Sequence, residues 1–151
     1  MRRQLQMFAF IGAMCAMLPA VSSAQEPAAA PAAPVLTINS AAAVVTVLIK
    51  PDKTADFDFV LAKLKEALAN STNPQRKQQA AGWKVFKSNQ MAQGSAVYVM
   101  RIDPVIRGAE YDITRLIAEV FPVEVQDIFE KYKGAFAGRA ITELTPFITM
   151  Q

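Results

Sequence analysis

The sequence predicts an α+β domain: an antiparallel sheet with helices on one face, its elements in the order β-α-β-β-α-β. Three observations carry this. Ala43–Ile49, AVVTVLI, is a β-branched run with almost no polar residue, the pattern of a strand buried on both faces. Two further runs, GWKVFKS and SAVYVMRI, follow one another across a polar segment and form a hairpin pattern. Between and after these strands, apolar residues recur at three- and four-residue spacing in two stretches, which is helical periodicity.

The N-terminus stands apart from that domain. Arg2 and Arg3 precede the apolar run Met7–Leu18, and small residues follow at Ser22 and Ala24. This charged, apolar, small-residue order is that of a secretory signal peptide, residues 1–24, with cleavage after Ala24. The run is shorter than the roughly 20 residues of a membrane span, so no stable span is expected once the signal is removed. Arg2-Arg3 would suit a twin-arginine signal, but Gln4-Leu5-Gln6 supplies only part of that pattern. Cys15 follows Met14 in mid-run, where lipidation would want a small residue, and it reads as filler. Gln25–Pro34, QEPAAAPAAP, favours extended, semi-rigid chain. Residues 25–40 are therefore a linker and residues 41–151 a single domain, folded from near Leu36 or Ala41.

Pro51 ends the first strand. Thr54 is placed to cap a helix, with Asp56 and Asp58 near its positive end. Phe57, Val60, Leu61, Leu64 and Leu68 make its apolar stripe, and NSTNP stops it. The hairpin strands are joined by the polar loop NQMAQG, Asn89–Gly94, and Asp103-Pro104 ends the second of them. Asp112 caps the next helix, striped by Ile113, Leu116, Ile117, Val120 and Phe121. Pro122 breaks or kinks it. The stripe resumes at Val125, Ile128, Phe129, Tyr132 and Phe136, Gly134 supplies a stop, and Ala140–Leu144 is a last strand.

Composition excludes several chemistries. The chain of 151 residues has 16 Lys and Arg against 13 Asp and Glu. Arg2 and Arg3 leave with the signal, so the mature net charge is +1, and the basic balance is no argument for a nucleic-acid partner. Cys15 is the one cysteine, so the mature domain has no disulfide, thiol nucleophile or thiolate ligand. Histidine is absent, which removes Ser-His-Asp catalysis and His-ligated zinc or haem. Asp52, Asp56 and Asp58 lack the glycine and terminal glutamate of a calcium loop. Asp56 and Asp58 would also point about 200° apart around a helix. No metal site, cofactor or catalytic residue is assigned. Glu124, Asp127, Glu130, Lys131 and Lys133 lie opposite the apolar stripe as a solvated face.

The element order is the split βαβ, ferredoxin-like arrangement. Its helices cover one face of the sheet, and the second apolar face calls for a cover of its own, such as the sheet of a second subunit. With TVLI, GWKVFKS and AVYVMRI as strands, Ala41–Leu144 resembles the dimeric α+β barrel proteins, a group that includes antibiotic-biosynthesis-type monooxygenases and many proteins without known activity. The resemblance implies a homodimer and carries no functional residue over to this chain. The lack of histidine departs from several members and speaks against haem-linked activity.

Within the hairpin, Trp83, Val85, Tyr98 and Met100 share one face if Ser88 pairs near Ser95. Arg101 is a lone cation on an apolar strand, suited to snorkelling at the sheet edge or to anchoring an anion. Trp83, Tyr98, Met100 and Arg101 are thus the candidate ligand-binding residues, for an apolar small molecule. The functional expectation is an exported protein, periplasmic or secreted from a bacterial envelope, with a binding or structural role through its sheet face. The alternative is a cofactor-independent oxygenase or isomerase acting on an apolar aromatic molecule. A third reading is a module that docks on another envelope protein.

Overall fold

The computed structural model describes residues 33–148 and Met150. The expected signal peptide and its cleavage point after Ala24 lie outside the described residues. The elements are β1 (Ala42–Ile49), α1 (Thr54–Asn70), α2 (Pro74–Gly82), β2 (Trp83–Ala92), β3 (Ser95–Ile102), α3 (Ile113–Ala118), α4 (Val125–Ala135) and β4 (Phe136–Leu144). They build an α+β domain on a four-stranded antiparallel sheet of order β2-β3-β1-β4. The most apolar strand, β1, lies inside the sheet between β3 and β4.

Burial along β1 alternates strictly. Ala43, Val45, Val47 and Ile49 are buried, whereas Ala42, Val44, Thr46 and Leu48 are half-buried. A continuous apolar run was expected to mean a strand buried on both faces. Strand geometry sends alternate residues to opposite sides, and the helices pack against one side only. On that side Phe57, Val60, Leu64 and Leu68 of α1 share a core with Tyr98, Met100 and Ile102 of β3, completed by Leu116, Ile117 and Ile128. Packing reaches back before β1, since Ile38 is fully buried in the same core.

Several local expectations are corrected. Thr54 is not a cap: a 3₁₀ turn at Pro51–Lys53 runs straight into α1, so Thr54 is already helical. Its hydroxyl donates weakly to the Pro51 carbonyl at 3.5 Å. NSTNP does end α1, but its last two residues start α2, which the apolar pattern did not reveal. The Asn73 side chain accepts from Gln75 N at 2.9 Å, and Pro74 occupies the first turn. The six-residue hairpin loop is also shorter than expected. The strands run on to a two-residue turn, Gln93-Gly94, with φ of 51° and 73°, the positive pair that a type I′ turn demands. Asp112 does cap α3, accepting from Arg115 N at 3.0 Å. At Pro122 the helix is broken rather than kinked, giving α3 and α4. Gly134 lies inside α4 rather than ending it, and Phe136 opens β4.

α2 is held by polar contacts in place of an apolar stripe. Arg76 Nε and Nη2 both donate to the Glu119 carboxylate, and Nη1 donates to Gln79 Oε1 at 2.7 Å. Gln79 in turn donates to the Glu110 carbonyl at 2.8 Å. The Glu110 carboxylate accepts three backbone bonds, from Val35 N at 2.7 Å, Leu36 N at 3.0 Å and Asp112 N at 2.8 Å. One buried acid thus fastens the chain entering β1 to the start of α3.

Two predictions follow from this packing. A Cβ at Gly82 would stand 2.8 Å from the Pro104 carbonyl oxygen, whereas one at Gly134 would meet nothing within 4 Å. Gly82→Ala should cost about 1–3 kcal/mol, because a backbone contact cannot give way. Gly134→Ala should gain about 0.5–1 kcal/mol of helix propensity. Urea midpoints of the two variants should therefore move in opposite directions.

The second concerns acid. Burial acts to raise the Glu110 carboxyl, but the backbone N–H groups of Val35, Asp112 and Leu36, with Arg115, outweigh it and hold it below its ordinary 4.5. A carboxyl lowered in the folded state contributes stability that is complete above the ordinary value and lost as pH falls through the folded one. Melting temperature should drop below pH 4.5. Glu110→Gln should lower stability at neutral pH and flatten that acid slope; an unchanged slope would remove Glu110 from the account.

Candidate functional site

The register sorts the four expected site residues. Trp83 lies opposite Ile102, Val85 opposite Met100 and Lys87 opposite Tyr98. Residues directly opposite share a face, so Trp83, Val85, Tyr98 and Met100 do lie together, on the helix-covered side. The pairing that achieves this differs from the one expected, because the register shifts between Lys87 and Met91. Arg101 lies opposite Lys84 and Val44 on the other side of the sheet. Its guanidinium donates to Asp103 Oδ2 at 2.6 Å in an exposed pair. The structure therefore brings three of the four to one face and separates the cation from them.

Tyr98 and Met100 are core residues. The Tyr98 ring meets Phe57 edge-on at 4.8 Å, and its hydroxyl donates to Asp58 Oδ1 at 2.6 Å. Lys87 Nζ donates to the second oxygen of Asp58 at 3.0 Å. Burial raises the Tyr98 hydroxyl, and Asp58 raises it further. Burial also works to raise Asp58, but the bonds from Tyr98 and Lys87 outweigh it and leave the carboxyl lowered. Near neutral pH the phenol thus stays a donor and the carboxylate an acceptor, so the pair clamps α1 to the hairpin and is not poised to exchange a proton. Sequence reading had no means to pair Asp58 with Tyr98 across 40 residues.

Trp83 borders two small cavities. One, of about 20 Å³, lies between sheet and helices against Met100, Tyr111, Tyr132 and Arg139. That volume suits a single water. The other, of about 110 Å³, lies against Leu61, Leu64, Leu68 and Val85. The indole Nε1–H is buried with no partner among the described residues.

A larger cleft, of about 250 Å³, opens where α4 turns into β4 and is lined by Phe129, Tyr132, Lys133, Phe136 and Arg139. Arg139 lies opposite Val47, which puts it on the helix side of the edge strand β4. Tyr132 stacks on Phe57 at 6.0 Å and meets Phe136 at 5.8 Å, so both rings are held from behind. The Lys133 ammonium lies 6.0 Å from the Phe129 ring centre. Burial pushes the Tyr132 hydroxyl up while the Arg139 guanidinium pulls the other way. Sequence analysis missed this cluster because it ended the helix at Gly134 and began the last strand at Ala140. The shared helical stripe of Phe129, Tyr132 and Phe136 was the available signal.

The open side of the sheet is the remaining surface. Its rows run Phe86, Val99, Thr46, Ala140 and Val97, Leu48, Gly138, with Lys84, Arg101, Val44 and Thr142 toward one end. Phe86 is 53% exposed. Val97, Val99 and Leu48 are half-buried. A Cβ at Gly138 would lie 3.6 Å from Leu48 Cδ1, so the glycine leaves that side chain more open than any other residue would.

Asp56 is engaged by Lys53 and Lys131, at 3.3 and 3.5 Å, and no group of three or more acidic, Cys or His residues among the described ones could hold a metal ion. No helix among them is long and apolar enough to cross a membrane. Trp83 is half-buried on the edge strand, so truncation to Ala should cost about 3 kcal/mol, the low end for a large aromatic. Trp83→Phe should cost far less, because it keeps a ring and also removes a buried N–H that has no partner. Urea denaturation of both variants measures this, and a loss for Trp83→Phe above about 2 kcal/mol would mean that the N–H has a partner. No protein-family model, curated protein or solved structure matches the chain.

Proposed function

We propose that this chain is an exported binding or structural protein whose domain, a ferredoxin-like split βαββαβ unit, works as a homodimer joined through the open sheet face in the manner of a dimeric α+β barrel. The observation that carries this reading is the apolar centre of that face, formed by Phe86, Val97, Val99 and Leu48. The strand order β2-β3-β1-β4, antiparallel throughout, supports the split βαβ reading. A patch of this kind with polar residues at one end suits burial against a matching surface. A second copy offers one by symmetry, since a two-fold axis places the same patch on both sides. The order of charged, apolar and small residues before Gln25 supports export to the periplasm or beyond.

Light scattering on the chain lacking residues 1–24 should give the mass of two copies. Val99→Asp should give the mass of one while the circular dichroism of the fold is kept, since an unpaired carboxylate cannot be buried cheaply in such an interface. A monomeric parent at micromolar concentration would defeat the dimer. Intact mass of the exported protein should correspond to a start at Gln25, and recovery of the whole chain there would defeat the export reading.

A further inference from the structure

We propose that the cleft between α4 and β4 is a binding site for a small aromatic anion, a single-ring carboxylate. Arg139 and Lys133 would take the carboxylate, and Phe129, Tyr132 and Phe136 the ring. The inference does not rest on the dimer, because the cleft lies on the helix side of the sheet and the proposed interface on the other.

Size comes first. A dry cavity of about 150 Å³ admits benzene, and this cleft offers about 250 Å³. That leaves room for one ring and a polar head but not for a drug-sized molecule, whose sites start at roughly 300 Å³. Shape comes next. Tyr132 and Phe136 are backed by Phe57 and by each other, so their free surfaces are fixed before any ligand arrives.

Charge decides the class. Two of the five lining residues are cations and none is an acid. Neither Lys133 nor Arg139 forms an ion pair among the described residues, whereas Lys131, two positions away on α4, is paired with Asp56. Lys133 has a simple role as well, since a cation in the last turn of a helix offsets its dipole. That role does not account for Arg139. It stands on β4, on the side facing the helices, and borders both this cleft and the inner cavity. Arg139 and Tyr132 line the cleft together and burial raises the Tyr132 hydroxyl, so a carboxylate there would meet both a guanidinium and a phenol donor.

The test is a calorimetric titration of the mature chain with three probes: benzoate, benzyl alcohol and inorganic phosphate. Benzoate should saturate, and the other two should bind at least about tenfold more weakly, since one loses the charge-assisted bonds and the other the ring. Arg139→Gln and Lys133→Gln should each weaken benzoate by about tenfold with an unchanged melting curve, and Arg139→Lys should keep part of the affinity. Both positions are exposed, so folding should survive; if Arg139→Gln unfolds, Lys133→Gln alone decides. Absence of benzoate saturation up to its solubility, equal binding of benzyl alcohol or of phosphate, or full affinity in the glutamine variants would each overturn the proposal.

Discussion

β1 is hydrogen-bonded along both edges, to β3 on one side and β4 on the other, so its backbone polar groups are satisfied by the sheet itself. What remains free is the direction of its side chains. Val45, Val47 and Ile49 go under the helices, while Val44, Thr46 and Leu48 go to the open side. Every feature of functional interest lies on one side of that division. The inner cavity, the Tyr98–Asp58 clamp and the α4–β4 cleft share the helix side, and the apolar patch with Arg101 occupies the other. Moving β1 by one residue against its neighbours would exchange the two sets, which is why its register is so firmly specified.

The helix layer is secured unequally. α1 adheres through a continuous apolar stripe and is tied to the hairpin by Tyr98 and Lys87 reaching Asp58. α2 has a polar attachment, with Arg76 and Gln79 buried and each matched to an acceptor. Such a network specifies a position more sharply than it stabilises one, since the desolvation of Arg76 and Glu119 offsets much of their attraction. The two short helices α3 and α4 then form the far wall, and the sharp passage from α4 into β4 at Phe136 creates the cleft.

The strands and the two apolar helical stripes were legible because their periodicity is strong. Phe57, Val60, Leu64 and Leu68 are buried as their spacing requires, and Trp83, Val85, Tyr98 and Met100 share a face. α2 was not legible, because its buried residues are Arg76, Gln79 and Gly82 and it has no apolar stripe to detect. The outer part of β2 was missed for a related reason: where this edge strand is exposed it carries polar residues such as Asn89 and Gln90, which look like a loop. Of the site, the hairpin residues could be named from sequence, but Arg101 was assigned to them without knowledge of the face. The Lys133–Arg139 pairing depends on where the chain leaves the helix, and boundaries are fixed by tertiary packing that a single sequence does not display.

The bonds from Val35 and Leu36 to Glu110 span 75 and 74 residues. Closing so long a loop carries an entropic cost that local structure does not help to meet. It also fixes an order of events during synthesis. The segment before β1 leaves the ribosome early, yet its anchor does not exist until residue 110 has emerged. Through that interval Leu36 and Ile38, later packed into the core, remain accessible to solvent and to any chaperone that follows the chain. The beginning of the domain is therefore among the first parts made, and its attachment waits on a residue made 75 positions later.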